Sequence, residues 1–197
     1  MGLKERVEQC LGEDALVFTE CRGDLFVEVP KNRIKQVLQR LKDELGFDFL
    51  SDLFGVDNSV LWEKKAKAAK KKKKKGEEEQ EEPKEPAPMP PRFEVVYLLL
   101  SLERNQRLQV KIRVPEDDLV VDSVTSIWKA ATWPEREAFD MYGIRFKGHP
   151  NLKRLLMWDE FPAYPLRKDY PLEGRGEERH LNYRVTVPCL CDLEPSH

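Results

Sequence analysis

The residues of this chain best equipped for chemistry lie close together. His149 sits between Gly148 and Pro150, with three acids, Glu135, Glu137 and Asp140, upstream of it. A histidine beside carboxylates is the minimum set for general acid–base work, and a carboxylate cluster can also hold a metal. A general base, however, needs an orienting partner and a cleft, and an isolated histidine satisfies neither role. The plainer reading of His149 is a turn histidine whose ring hydrogen-bonds to backbone. The acids have a plain reading as well. On a helix beginning near Trp133, acids in the first turn are favoured by the helix dipole, and Arg136 and Asp140, at i and i+4, can pair with each other. A small hydrolase or transferase built on His149 is the enzymatic alternative, and turnover by the purified chain would be its mark.

Other candidate groups are weaker. Arg167-Lys168-Asp169 could clamp a phosphate, but the interleaved acid and the flanking Pro165 and Pro171 suit protein docking better. Gly174-Arg175-Gly176 lacks the strand–turn–helix frame of a dinucleotide fingerprint. Ser51, Ser59, Ser101, Ser123 and Ser126 lack the G-x-S-x-G setting of a nucleophile elbow. The cysteines, Cys10, Cys21, Cys189 and Cys191, are too few and too scattered for a disulfide framework. His149, His180 and His197 are the only histidines, and none stands at ligand spacing from a cysteine. The residues thus predict no catalytic, cofactor-binding or metal site of the chain's own, and free thiols in a reducing compartment.

The elements that would position these residues read as an α+β body. Ala15 to Thr19 and Asp24 to Val29 are β-prone runs joined by Glu20-Cys21-Arg22-Gly23, a plausible hairpin turn. Pro30 then opens a helix, with Ile34, Val37, Leu38, Leu41 and Leu45 as its apolar stripe and Gly46 as its left-handed stop. Phe47 to Val56 is extended. Leu108, Val110, Ile112 and Val114 alternate with Arg107, Gln109, Lys111 and Arg113, a strand with one buried face. Phe93 to Leu102 is apolar almost throughout and predicts a central strand covered on both faces. Asp122 or Ser123 can cap a short helix carrying Val124, Ile127, Trp128 and Ala131. Thr132 and Glu135 then read as a T-x-x-E capping box, with Pro134 in the first turn of a helix that ends at Gly143. Ile144-Arg145-Phe146 follows as a short extended piece. The fold class expected is α+β, with a mainly antiparallel sheet, helices on one face and a long extended C-terminal tail.

Composition divides the chain further. Residues 63–92 are of low complexity: Lys64 to Lys75 hold nine lysines, Glu77 to Glu85 six acids and Pro83 to Pro91 five prolines. This insert reads as a solvated linker between two strands, or as an arm docking on an acidic surface. Residues 1–62 and 93–147 are then the two halves of the body. Residues 148–197 are rich in proline and aperiodic, yet carry Leu152, Leu155, Leu156, Met157, Trp158, Phe161, Tyr164 and Tyr170. Apolar groups without periodicity cannot form a layer of their own, so this tail is expected to be buried against another protein.

The 197 residues are 40% hydrophobic and 36% charged, with a formal net charge of -2 and a mean hydropathy of -0.63. That is enough apolar content for one core, and no global nucleic-acid footprint. The lysine run could bind nucleic acid or an anionic surface, but the glutamates beside it oppose this. The longest apolar run, Val95 to Leu100, has six residues, against about 20 for a membrane span. Met1 to Arg6 has no signal-peptide core. Membrane association is therefore expected only through partners.

Glu135 to Leu156 reads E-R-E-A-F-D-M-Y-G-I-R-F-K-G-H-P-N-L-K-R-L-L, the densest mixture of charge, aromatics and glycine in the chain. Glu135, Arg136, Glu137, Asp140, Met141, Tyr142, His149, Lys153, Leu155 and Leu156 fill every slot of the signature of one family. The segment resembles the family of C-type subunits of the proton-pumping NADH:quinone oxidoreductase, respiratory complex I. Pro165-Leu166-Arg167-Lys168-Asp169-Tyr170-Pro171-Leu172 is similar to the family's P-L-R-K-D-Y-P-L element. Glu94 to Tyr97 with Leu99 to Leu102 is similar to its central hairpin, Ser123-Val124-Thr125 with Trp128 to the run before the signature, and Phe47 to Asp57 to its N-terminal half. The resemblance implies a cofactor-free scaffold subunit of the peripheral arm on the cytoplasmic face of the bacterial inner membrane. Flavin, iron–sulfur clusters and quinone would be held by other subunits. The partners implied are the D-type subunit and neighbouring iron–sulfur subunits. The equivalent subunit of a membrane-bound hydrogenase or another quinone-linked complex is the related alternative. The partner interface implied comprises the signature with Gly143, Pro150 and Arg154, and Pro165, Leu166, Arg167, Lys168, Asp169, Tyr170 and Pro171. Arg136, Arg145, Arg154 and Arg167 are the cations suited to bidentate pairing across it.

Overall fold

In the computed structural model, residues 2–62 and 91–176 are described. Most of the low-complexity insert, together with His180, Cys189, Cys191 and His197, lies outside them. A helix the sequence did not announce, α1 (Leu3–Leu11), comes first. Its Val7, Cys10 and Leu11 are buried, at the i, i+3 and i+4 spacing that turns one short face inward. Strands β1 (Val17–Cys21) and β2 (Asp24–Val29) form the expected hairpin. Arg22 and Gly23 take its two turn positions with φ of 54° and 88°, the paired positive φ that matches strand twist. Pro30 is extended and leads into a 3-10 turn, Lys31–Arg33, before α2 (Ile34–Leu45). Ile34, Val37, Leu38 and Leu41 are all fully buried. Gly46, with φ 70°, closes the helix by donating to the carbonyls of Leu41 and Lys42.

Strands β3 (Phe49–Asp57), β4 (Phe93–Ser101) and β5 (Gln106–Val114) complete a five-stranded sheet of order β1-β2-β5-β4-β3. Only the β2–β5 pairing is parallel. β6 (Val120–Asp122) and β7 (Arg145–Lys147) make a separate parallel pair, and α3 (Thr132–Tyr142) lies between them in the chain. The class is α+β and mainly antiparallel, as expected. β3 and β4 are antiparallel neighbours, so the insert interrupts a hairpin.

Leu108, Val110, Ile112 and Val114 of β5 are wholly buried. β4 is covered fully on one face and only in part on the other, where its apolar run suggested burial on both; Val96 on that second face is 8% exposed. Phe93, Val95, Tyr97, Leu99 and Ser101 are at most 1% exposed, whereas Glu94, Leu98 and Leu100 on the other face are half-buried. The run is apolar beyond what burial on one side demands. The helix expected after Ser123 is likewise absent. Residues 123–128 form turns closed by Ile127 and Trp128 N–H groups on the Val124 carbonyl, and a 3-10 turn, Lys129–Ala131, follows.

α3 meets the sheet at a glycine. A Cβ on Gly55 of β3 would lie 2.6 Å from Tyr142 Cδ2, so the missing side chain is what lets the tyrosine ring lie on the strand. The same ring meets Phe93 edge-on at 6.5 Å.

Candidate functional site

Two acids of the signature are entirely buried, and each holds a loop. Glu135 faces the core with no solvent exposure. Its carboxylate accepts from Ser123 Oγ at 2.7 Å and from the Val124 N–H at 2.8 Å. Burial, partly offset by those two donors, pushes its pKa up to about 7. The capping box is therefore overturned. The 3-10 turn before Thr132 runs straight into the helix, Ala131 takes the cap position, and the Thr132 hydroxyl donates back to the Lys129 carbonyl at 2.7 Å. Glu135 is held by specific donors across the fold, with the dipole secondary.

Asp140 anchors the start of the tail. Arg154 Nη1 reaches its Oδ1 at 2.7 Å. Its Oδ2 accepts the consecutive N–H groups of Leu155, Leu156 and Met157 at 3.0, 2.7 and 2.9 Å. Burial alone would raise this acid, but those hydrogen bonds outweigh it and hold the carboxyl below the usual carboxylate range. The same guanidinium donates from Nη2 to the carbonyls of Phe161 and Ala163. It also lies 5.8 Å from the Phe161 ring centre and 5.5 Å from that of Tyr164.

The expected Arg136–Asp140 pair does not form. Arg136 instead donates to the carbonyls of Lys153 and Arg154, at 3.0 and 2.8 Å, and stacks on Trp133 at 5.1 Å. His149 is the turn histidine of the plainer reading. Nδ1 accepts the Asn151 N–H at 3.0 Å, so Nε2 carries the proton and donates to the Thr132 carbonyl at 3.1 Å. Both nitrogens are occupied, and no carboxylate is hydrogen-bonded to the ring.

The P-L-R-K-D-Y-P element is tied to the body as well. The Leu166 N–H donates to the Met141 carbonyl. Arg167 Nε donates to the Tyr142 carbonyl at 2.8 Å, and its guanidinium packs on Phe93 at 5.1 Å and Tyr164 at 4.5 Å. Gly143, left-handed at φ 81°, passes beneath them, and a Cβ there would lie 2.7 Å from Tyr164 Cζ. The Lys168 N–H reaches Asp57 Oδ2 at 2.9 Å, and Asp169 pairs with Arg92 at 2.6 Å. Asp57 is the hub: fully buried, it takes Arg92 through both carboxylate oxygens as well as the Ser59 N–H.

The tail thus differs from the expectation of a segment with no partners in its own chain. From His149 to Tyr170 it is a strap, irregular in backbone, tied to buried carboxylates of the body through the N–H groups of Leu155, Leu156, Met157 and Lys168. Arg154, Arg167 and Asp169 find partners within the chain, while Arg145 is exposed. Periodicity does not register a loop held in this way. Asp57, before the insert, and Arg92, its last residue, are also essential to the site, and nothing in their spacing linked them to Asp169.

Part of what remains outward is apolar, among exposed polar residues such as Asp159, Glu160 and Lys168. Leu156, Leu166 and Leu172 are 63%, 44% and 101% exposed. Met157, Trp158, Phe161, Pro165, Tyr170 and Leu172 line an open cleft. Glu137, Pro150, Lys153 and Lys168 are exposed; Leu155 and Pro171 are half-buried and Met141 is buried. Among the described residues no group of three or more His, Cys, Asp or Glu side chains could hold a metal ion. No helix among them is long and apolar enough to cross a membrane.

Residues 27–176 match the family model described as the 30 kDa subunit of respiratory-chain NADH dehydrogenase. The chain is 42% identical, over 99% of its length and 97% of the relative's, to the C-type subunit of NADH-quinone oxidoreductase from Hydrogenovibrio crunogenus. It is 41% identical to the protein of the same name in Citrifermentans bemidjiense, over 89% of each chain. Among solved structures it resembles a trypsin-resistant fragment (1–134) of Nqo5, with TM-score 0.58 and 31% identity over 77% of this chain and all of that one. A membrane-bound sulfane sulfur reductase, an archaeal respiratory complex, supplies a second match with TM-score 0.61 over 86% of this chain and 85% of that one. At 24% identity the second match carries the fold alone.

Proposed function

The chain belongs to the family of 30 kDa subunits of respiratory-chain NADH dehydrogenase, and from that premise we propose that it is a scaffold of the enzyme's peripheral arm, without catalytic residues or cofactor of its own. Its relatives are named as subunits of NADH-quinone oxidoreductase. In this reading electron transfer from NADH to quinone, coupled to proton pumping, belongs to the assembly. Flavin, iron–sulfur clusters and quinone sit on other chains. This chain works by fixing the relative positions of its neighbours, a D-type subunit and iron–sulfur subunits, on the cytoplasmic side of the membrane.

One observation carries the proposal: the strap is held from below by the body and carries exposed leucines above. Asp140 and Asp57 fix its backbone, while Leu156, Leu166 and Leu172 stand exposed. Exposed apolar groups on a preorganised backbone favour docking, because little order remains to be imposed on binding. Residues 148–197 are then the partner-binding portion, and the 63–92 insert an accessory linker or docking arm.

The test is a native purification from cells carrying a tagged copy, with partners identified by mass spectrometry. Co-purification with the peripheral-arm subunits and loss of NADH:quinone activity in step with loss of assembly are expected. Turnover by the isolated chain, or a fully assembled and active enzyme lacking it, would overturn the proposal.

A further inference from the structure

Besides the strap's exposed leucines, one surface, shared by the first turns of α3 and the start of the strap, combines an exposed aromatic with an excess of positive charge. Trp133 is 61% exposed, although Glu135 and Ala138 of the same helix are buried. Arg136 stacks on its ring at 5.1 Å. The guanidinium is fixed there by the Lys153 and Arg154 carbonyls, which are neutral acceptors and leave the positive charge in place. The Lys153 side chain is exposed at this point, and so is that of Lys129, whose carbonyl takes the Thr132 hydroxyl. Among the described residues neither lysine makes an ion pair. Glu137 is the exposed acid of the same helix face and is outnumbered by Lys129, Arg136 and Lys153.

The surface is also preorganised. His149 pins the 149–151 turn to the first turn of α3, and the Arg136 bonds pin residues 153 and 154 beside it. Tryptophan and arginine are among the residue types most enriched where binding energy concentrates, and an arginine already fixed loses little freedom on binding.

We propose that Trp133, with Lys129, Arg136 and Lys153 around it, seats an acidic segment of a neighbouring subunit, one that places a carboxylate among the cations and an apolar side chain over the indole. The inference rests on reading the chain as an assembly subunit, and it specifies a second contact distinct from the strap's exposed leucines. Opposite charge steers the encounter and selects the partner, while the indole supplies the anchor.

The test uses the native assembly, purified from cells whose chain carries photoreactive p-benzoylphenylalanine in place of Trp133. A cross-link to an Asp- or Glu-containing peptide of another subunit is expected. The Lys129→Glu, Lys153→Glu double variant should lower retention of the chain at raised salt by about tenfold. Reversing the cross-linked acid to lysine should restore it, a rescue that a merely structural role would not give. Both lysines are exposed, so the isolated variant should melt with the parent. Cross-links only to the chain's own residues 77–85 or to a second copy, or none within an assembly that contains the chain, would overturn the inference and leave the scaffold reading standing. A chain that enters no assembly overturns both.

Discussion

Asp140 and Arg154 form an ion pair of 2.7 Å in which the carboxylate is completely buried and the guanidinium side chain only 13% exposed. The pair joins the signature helix to the strap that follows it. It answers within one chain a pairing that the residue types alone suggested would cross an interface.

Arg154→Gln is therefore expected to destabilise the isolated chain. Removing one partner of a buried pair leaves the other unpaired and costs about 3–5 kcal/mol. Urea unfolding measures it; a change below about 1 kcal/mol, the value of an exposed pair, would show that the pair does not hold the strap.

Asp57→Asn should loosen the strap at a second point. Burial opposes the Asp57 charge, but Arg92 and the N–H groups of Lys168 and Ser59 outweigh it and hold the pKa below the usual carboxylate range. A depressed pKa contributes stability that is present above the unfolded value of about 3.9 and is lost as pH falls through the folded one. Amide hydrogen exchange should accelerate from residue 164 to 170 in the variant at pH 7 and much less in α2. Unchanged protection at 164–170 would rule out Asp57 as the anchor.

Glu135 has the opposite sign. Its pKa is raised to about 7, so the folded chain binds a proton more tightly than the unfolded one, whose value is about 4.3. Stability from this group is fully present below about pH 4 and declines as pH rises through 7. Glu135→Gln, which can accept from Val124 N–H and donate to Ser123 Oγ, should flatten that decline and stabilise the chain at pH 8 by on the order of 3 kcal/mol. Parallel pH profiles for parent and variant would contradict it.

Gly55→Ala should cost about 1–3 kcal/mol, the usual range for overpacking, because its Cβ meets the Tyr142 ring at 2.6 Å. Tyr142→Leu in the same chain should recover part of the loss. A fully additive double mutant would mean that the two sites do not touch.

How far the sequence could be read follows from what each residue's neighbours along the chain report. The α2 stripe, the alternation of β5 and the Gly46 and Gly143 stops are local patterns, and all appear where expected. α1 escaped because one short stripe in a charged stretch is a weak signal. The helix after Ser123 was misplaced because Glu135, from another element, supplies the donors' partner and lets those residues turn. The strap escaped for the same reason on a larger scale. Asp57, Arg92 and Asp169 meet only in three dimensions, and no spacing rule brings them together. Resemblance to the family singled out the signature residues, and the geometry ties many of them into the chain's own structure.

The parallel pairing of β2 with β5 has a consequence for biosynthesis. β2 is made early, yet the inner strand it needs, carrying Val110 opposite Val27, emerges only after α2, β3, the charged insert and β4. Until then the nascent chain displays a bare hydrogen-bonding edge beside apolar Val27 and Val29, an invitation to the wrong partner. A ribosome-stalled product ending before residue 106 should accordingly depend on chaperones for solubility, whereas one extended past Val114 should not.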